Sequence, residues 1–357
     1  MHLTELTCER FRCLSELRFA PGPGINVIRG ENAQGKTSIL EALLYAATTK
    51  SHRTSNETDL VQRGETSFRV GARVQRAERD VLVVVAWARG QKRIKVNGVS
   101  QTRVSDVLGK VNVVIFSPED GDLVRGSASH RRTFLDMELS QVNAPYLHAL
   151  QRYRHAMRQR NETLRMPRPD ESLLDVYDQQ LVEHGTHLIQ DRRAFVEQLA
   201  PLANNAYQEI AGAEEMRLAY RPDIREENMY AECLVAARAS DLRQTVTSRG
   251  PHRDDLEFIV DEKAARQFAS QGQQKTAALA IKLAELELMR ARTGEYPLLL
   301  LDDVFAELDT PRSNRVLSTI PESVQCLITT TDFALPMGLE ERNPLIFTVR
   351  EGVVSEA

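Results

Sequence analysis

The 357-residue chain is poor in the features that mark exported or membrane proteins. Its four cysteines, Cys8, Cys13, Cys233 and Cys326, form no CxxC pair and no cluster with histidine, which excludes a disulfide framework and a thiolate metal site. Long hydrophobic runs are absent as well. "VLVVVAWA" at 81–88 and the four leucines at 298–301 are strand-sized, far short of the roughly 20 residues a spanning helix needs. The first residues, "MHLTELTCERFR", carry charges where a signal peptide has its apolar region, so a cytoplasmic protein is expected. Nor is there a dominant charge: the net value of -4 points to no partner by itself, and distribution matters more. Internal repeats and low-complexity tracts are missing too. What is present is 42% apolar content, enough for a substantial core, and a length that predicts two domains or one elaborated domain.

The first 120 or so residues read as β-rich. "LTELTC", "SELRF" and "INVIRG" are short strands, and "TSFRVGARVQ", "RDVLVVVAWA" and "QKRIKVNG" predict an antiparallel meander with Asn97-Gly98 as a hairpin turn. From about 121 the texture becomes helical, with Leu173, Leu174, Val176, Tyr177 and Leu181 followed by Leu188, Ile189, Phe195, Val196 and Leu199. "RMPRPDES" divides that block. Beyond Thr245 strands return at "DDLEFIVD", "YPLLLLDD" and "VQCLITTT", with a long helix from about Gln274 to Arg292. An α/β lobe of residues 1–120 and 245–357, interrupted by a helical insertion of residues 121–244, is the simplest reading.

"GENAQGKTS" lies between a strand and a helix and matches G-x-x-x-x-G-K-[ST] through Gly30, Gly35, Lys36 and Thr37. Glycines let the backbone wrap an anion closely, and the helix beginning at Lys36 adds its positive end. Gly30, Glu31, Asn32, Ala33, Gln34, Gly35, Lys36, Thr37 and Ser38 form the expected nucleotide cradle. Lys36 neutralises β- and γ-phosphate charge and Thr37 ligates Mg²⁺. More than 260 residues later, Asp302 and Asp303 follow the four leucines at a strand's C-terminal end, where open α/β sheets bind ligands. Asp302 is the expected Mg²⁺ carboxylate, and Asp303 is placed to orient or deprotonate the attacking water. A plain helix cap is the bland alternative for that pair. The long separation excludes small nucleotide kinases and most GTPases.

"ASQGQQKTAALAIKLAELELMR" opens about 30 residues before the aspartates. Its Ser270-Gln271-Gly272-Gln273 resembles the LSGGQ signature of ABC-type ATPases, with Gln271 in place of the first glycine. An ordinary helix start is the competing reading. Together with "ERFRCL", "GENAQGKTSILEAL", "TTKSHRT", "FSPEDGDLVRGSASHRRTFLD" and "TSRGPHRDDLEF", these stretches run nearly the whole chain in the order of one family, and the sequence resembles the RecF recombination and repair proteins.

The resemblance implies an ABC-type ATPase head, mixed β-sheets around a central helix, with a helical second lobe. It implies ATP-dependent dimerisation on DNA, weak DNA-stimulated hydrolysis, and partnership with RecR and RecO to load RecA at gapped DNA or single-strand/duplex junctions. Roles in replication-fork maintenance and the SOS response are part of the same expectation. Carried over by position, Ser270, Gly272 and Gln273 reach the nucleotide in trans, Glu307-Leu308-Asp309 couples the two sites, and Arg12 of the Phe11-Arg12 pair lies near the nucleotide. Thr330 stands where a histidine usually meets the γ-phosphate, and the usual metal-sensing loop has no convincing glutamine, Glu119 after "FSP" being the candidate in its place. Both departures favour slow turnover. The rivals are an ABC transporter subunit, disfavoured by the altered signature, and a chromosome-structuring head, disfavoured by an insertion too short for coiled-coil arms.

No acidic residue lies between Glu138 and Glu162, whereas Arg152, Arg154, Arg158 and Arg160 gather there with His148, His155 and Tyr153. With Arg131 and Arg132 they are the candidate duplex-DNA contacts; a solvated basic helix face is the alternative. "HRDD" at 252–255 mimics a kinase catalytic loop, but Ile259 replaces the required asparagine, and that reading is rejected. Trp87 reads as core, and His52 and Arg53 as either neighbours of nucleotide or DNA or solvated surface.

Overall fold

The computed structural model describes residues 1–77, 79–212, 214–331 and 337–356. Its first stretch holds β1 (His2–Phe11), β2 (Leu14–Phe19), β3 (Ile25–Arg29), α1 (Lys36–Thr48), β4 (Ser67–Gln75), β5 (Asp80–Ala88), β6 (Gln91–Val96), β7 (Val99–Gln101) and β8 (Val113–Phe116). Next come α2 (Gly121–Arg125), α3 (Ala128–Val142), α4 (Ala144–Leu164), α5 (Glu171–Ala211), β9 (Met216–Arg221), α6 (Tyr230–Gln244), β10 (Asp255–Val260), β11 (Lys263–Ala264) and α7 (Ala265–Phe268). The last are α8 (Gln271–Thr293), β12 (Leu298–Asp302), α9 (Thr310–Thr319), β13 (Cys326–Thr330), α10 (Met337–Glu340), β14 (Leu345–Arg350) and β15 (Val353–Glu356). Two compact units result: Met1–Asp120 with Asn205–Glu214 and Lys275–Ala357, and Gly121–Asn204 with Glu215–Gln274.

The first unit contains two six-stranded sheets. One has the order β15-β14-β3-β13-β12-β8, parallel except for its β15 edge. Leu298 to Leu301 are buried completely, as befits a strand covered on both faces. The other sheet, β2-β1-β4-β5-β6-β7, is antiparallel and half-solvated. On β5 the burial alternates strictly, with Val81, Val83, Val85 and Trp87 facing inward onto α1 and the core. Phe11, Tyr45, Phe68 and Trp87 interlock there, Phe68 stacking on Trp87 with ring centroids 6.0 Å apart. The Asn97-Gly98 hairpin is present: Val96 faces Val99 across it, and both turn residues have positive φ, 48° and 82°. 

In the second unit β9, β10 and β11 form a small antiparallel sheet beside helices. β9 lies in a stretch that reads as wholly helical, yet its Met216, Leu218 and Tyr220 alternate with Arg217, Ala219 and Arg221 over six residues, too short a run to stand out beside the helical periodicity before it. Charge is buried here. Arg160, fully enclosed, binds Asp178, Asp241 and the Thr247 hydroxyl, and Arg192 binds Asp136, Asp254 and the Pro251 carbonyl. Asp254, second-to-last residue of "HRDD", also accepts from Tyr220 and the Asp223 amide, while His252 joins Tyr153 to the Thr247 carbonyl. That stretch is a polar core, not a kinase loop.

Candidate functional site

β3 delivers the chain to Gly30, whose missing side chain is a packing requirement. A Cβ there would stand 2.5 Å from the Val349 carbonyl oxygen of β14. Ala33 and Gly35 then take left-handed backbone (φ 64° and 111°), and α1 starts with no side chain capping its first amides. Those amides are therefore open to an anion. Gln34 does not face that ligand position. Its carbonyl accepts from the Gly352 amide at 3.0 Å and its Oε1 from the Glu351 amide at 2.6 Å, seating the loop on the β14–β15 turn. Lys36 folds back across the loop and donates to the carbonyls of Gly30 at 2.7 Å and Glu31 at 2.8 Å. Burial lowers its pKa, opposed by Asp303 and Asp302.

Those aspartates arrive on β12, next to β13, which pairs in turn with β3. The Thr37 hydroxyl donates to Asp302 Oδ1 at 3.0 Å, joining residues 265 positions apart, and Thr329 donates to the same oxygen. Asp303 is left-handed (φ 52°), held by a bond from its amide to Thr329 Oγ1 at 3.0 Å. Its Oδ1 is buried with no hydrogen-bond partner among the described residues. Lys36, Thr37, Asp302 and Asp303 line a cavity of about 210 Å³ that also touches Asn32, Ala33, Gly35, Ser38, Cys13 and Arg53. Threonine hydroxyl, one satisfied carboxylate oxygen and one orphaned carboxylate oxygen make a hard, oxygen-rich donor set of the type Mg²⁺ takes.

Arg12, expected at the nucleotide, is committed elsewhere. Its guanidinium forks onto the fully buried Glu41 of α1 (2.9 and 2.7 Å) and donates to the Asp59 carbonyl at 2.8 Å. Burial raises the Glu41 pKa, but the bonds from Arg12 and Ser51 outweigh it and hold the carboxyl below its ordinary value. Ser51 is thereby tied to α1, and the chain following it brings Arg53 to the cavity. Cys13 and Arg53 are thus the wall residues whose placement was not fixed from sequence. "KSHRT" carried a signal for Arg53; nothing local marked Cys13. Both ring nitrogens of His52 are buried without a partner among the described residues, and burial lowers its pKa against the pull of Glu41, Glu119, Asp120 and Asp302. Glu119 itself is exposed beside that ring, and Thr330 is buried at the end of β13. The Glu307 side chain lies outside the described residues.

In the second unit, Ser270 and Gln273 form a reciprocal cap: the Gln273 amide donates to Ser270 Oγ at 3.2 Å and the Ser270 amide to Gln273 Oε1 at 2.9 Å. α8 consequently begins at Gln271, three residues before the sequence reading placed it. Gly272 lies in its first turn.

Arg131 is 2% exposed and forks onto Asp255, so it is a buried ion-pair partner and not an outward cation. The same correction applies to Arg160. Arg132 is half-buried and donates to the Asp254 carbonyl at 2.8 Å; Arg154 is exposed but paired with Asp136 at 2.6 Å. Only Arg152 and Arg158 of the candidates are exposed with no ion pair among the described residues. An acid-free stretch of sequence concealed acids that the fold supplies from elsewhere.

The RecF/RecN/SMC N-terminal domain family matches residues 2–353. The DNA replication and repair protein RecF of Symbiobacterium thermophilum is 42% identical over 99% of this chain and 98% of its own length. That of Bacillus cytotoxicus is 40% identical over 93% and 92%. A solved structure described as the recombination mediator protein RecF bound to ATP, in the RecFOR pathway, superposes with a TM-score of 0.90 at 30% identity, covering 100% of this chain and 97% of that one. An Smc head bound to the C-terminal winged-helix domain of ScpA superposes with a TM-score of 0.58 at 16% identity, covering 100% and 97%, and shares the fold alone.

Proposed function

The chain belongs to the RecF family of DNA replication and repair proteins, and from that premise we propose that it binds ATP with Mg²⁺ at the Gly30–Ser38 loop and dimerises on DNA in response. The observation that carries this reading is the 3.0 Å bond from Thr37 to Asp302. It unites a phosphate loop with a strand-end carboxylate, the two halves of a nucleotide–metal site. The ion would be held by Thr37 and Asp302, and when bound it draws charge from the β- and γ-phosphates. Lys36 exchanges its two carbonyl partners for phosphate oxygens. Asp303, with one oxygen unengaged, is the group that orients the attacking water. With Thr330 in place of a histidine, hydrolysis is slow and ATP acts chiefly as a dimerisation ligand.

The described residues enclose about 210 Å³, below the roughly 300–1,000 Å³ of complete small-molecule pockets. A second copy completes the enclosure through Ser270, Gly272 and Gln273, where the γ-phosphate takes the place of the capping bonds. Shifting a 1:99 monomer–dimer balance to 99:1 needs about 5.5 kcal/mol of differential affinity, within reach of two sandwiched triphosphates making charge-assisted contacts. The substrate is duplex DNA at gaps or single-strand/duplex junctions, and the partners are RecR with RecO, acting to load RecA, with effects on fork maintenance and the SOS response.

Lys36→Met abolishes ATP binding and dimerisation, whereas Ser270→Arg spares ATP binding and blocks dimerisation. Light scattering with a non-hydrolysable nucleotide checks both. A Ser270→Arg protein that dimerises normally refutes the contact in trans.

A further inference from the structure

A second, larger concavity of about 570 Å³ lies on the first unit, along the outer face of its antiparallel sheet. Strand register explains its shape. Glu9 of β1, Arg69 of β4, Ala86 of β5 and Arg93 of β6 form one row across four strands. The adjoining row contains Gly71 and ends in Lys95. Ala86 and Ala88 are the small residues of the lining, with long cations beside them, and Lys95 stands in the next row. Arg10, near the end of β1, and Arg89, in the turn after β5, extend the rim. Four arginines face one glutamate in the lining.

The ordinary reason for charge on a sheet is protection of its edge strands. That reason fails for Arg69, because β4 and β5 are interior strands of the β2-β1-β4-β5-β6-β7 order, and for Lys95, which β7 covers opposite Ser100; Arg93 lies on the part of β6 that β7 does not reach. Nor are the cations consumed internally. Arg69 meets Glu9 only at 3.8 Å and Arg10 meets Glu65 at 3.5 Å, all four side chains more than 40% exposed. Such pairs are weak and readily exchanged. Among the described residues no carboxylate lies within ion-pair distance of Arg89, Arg93 or Lys95.

We propose that this arginine-sided groove is a docking surface for the phosphate backbone of duplex DNA. The proposal rests on the DNA-binding reading above and adds the surface that performs it. Arginine offers a planar fork matched to phosphate oxygens. Arg69 and Arg93 stand two strand spacings apart, about 9.5 Å, and Arg93 and Lys95 about 6.8 Å apart along β6, so one lattice of cations meets several phosphates. The groove has no exposed aromatic on which bases could stack: Phe68 and Trp87, both in its lining, are 2% and 7% exposed and face the core. It also lacks the apolar anchor of a protein interface. Backbone contact with a duplex is the chemistry that remains.

The test uses the full chain with Arg69→Glu and Arg93→Glu together, and a fluorescein-labelled duplex followed by anisotropy over a series of salt concentrations. Affinity falls about tenfold or more, and the slope of log K against log salt loses about two, near 0.9 for each phosphate contact removed. Arg69→Gln with Arg93→Gln gives a smaller loss in the same direction. Binding of a fluorescent ATP analogue stays unchanged, which certifies the fold. Unaltered duplex affinity and slope in the variants, with binding intact in the parent, overturn the placement. Loss of polyglutamate binding with duplex binding retained overturns it in favour of an acidic protein. A parent that binds no duplex at all sinks the DNA reading itself.

Discussion

Glu41 does not itself line the cavity, yet the structure makes it a support of the site. It is fully buried on α1, accepts both forks of Arg12 and the Ser51 hydroxyl, and lies 3.8 Å from Arg53. In Glu41→Ala the Arg12 guanidinium keeps its position with no counter-charge. Removing one partner of a buried pair costs about 3–5 kcal/mol, and because the Arg12 side chain is 21% exposed the low end applies. Glu41→Gln keeps the size and one carbonyl acceptor, so its cost is about 1–2 kcal/mol. With a urea slope near 3 kcal/mol per molar for a unit of this size, midpoints move by about 1 M for alanine and half that for glutamine.

The single tryptophan, Trp87, sits on β5 in the aromatic cluster that meets α1, so its fluorescence reports the first unit's transition without mixing in the second. The sign of the pH dependence follows from the lowered carboxyl pKa. Stability from such a group is present above its unfolded value, about 4.3, and is lost as pH falls through the folded value. The gap between parent and Glu41→Gln is therefore full at neutral pH and closes below about pH 4. ATP affinity also drops in Glu41→Ala, since Ser51 and Arg53 lose their tether. A midpoint shift under about 0.2 M for alanine, or a gap that persists in acid, would refute the reasoning.

Gly30→Ala drives a methyl group against the backbone oxygen of Val349, which cannot rotate away. The loop must lift from β14, at an overpacking cost of about 1–3 kcal/mol, and titration with a fluorescent ATP analogue shows at least a tenfold weaker complex. An affinity within twofold of the parent contradicts the steric account. Cys13 lines the cavity and is exposed, whereas Cys8 and Cys326 are buried and burial pushes their thiol pKa values up. Maleimide therefore labels Cys13 and leaves those two intact, and saturating ATP slows the Cys13 reaction, as peptide mass spectrometry will register. Equal rates with and without nucleotide would place the thiol outside the bound ligand's shadow.

The part of this molecule that could be read from its letters is the part whose causes are local. A glycine-wrapped turn between a strand and a helix, and four leucines ending in two aspartates, each declare their geometry within a few residues. Thr37 and Asp302 accordingly lie within hydrogen-bond distance, 3.0 Å apart. Charge is different, because whether an arginine faces water depends on carboxylates the chain delivers from far away. Arg131 is taken by Asp255, 124 residues on, and Arg160 by Asp241, 81 residues on. Arg12 was likewise placed in the right neighbourhood but given to Glu41. At Ser270–Gln273 the spacing carries two readings at once, a helix start and a likeness to a phosphate-binding motif, and the reciprocal cap shows the first in this single chain. The outer sheet surface escaped notice for a third reason. Arg69, Arg93 and Lys95 come from two strands separated by a third, Arg93 and Lys95 adding only one cation to each row of the sheet. Residues 89–95 show Arg89, Lys92, Arg93 and Lys95 as a basic run, but only the register that sets β4, β5 and β6 side by side brings Arg69 to them.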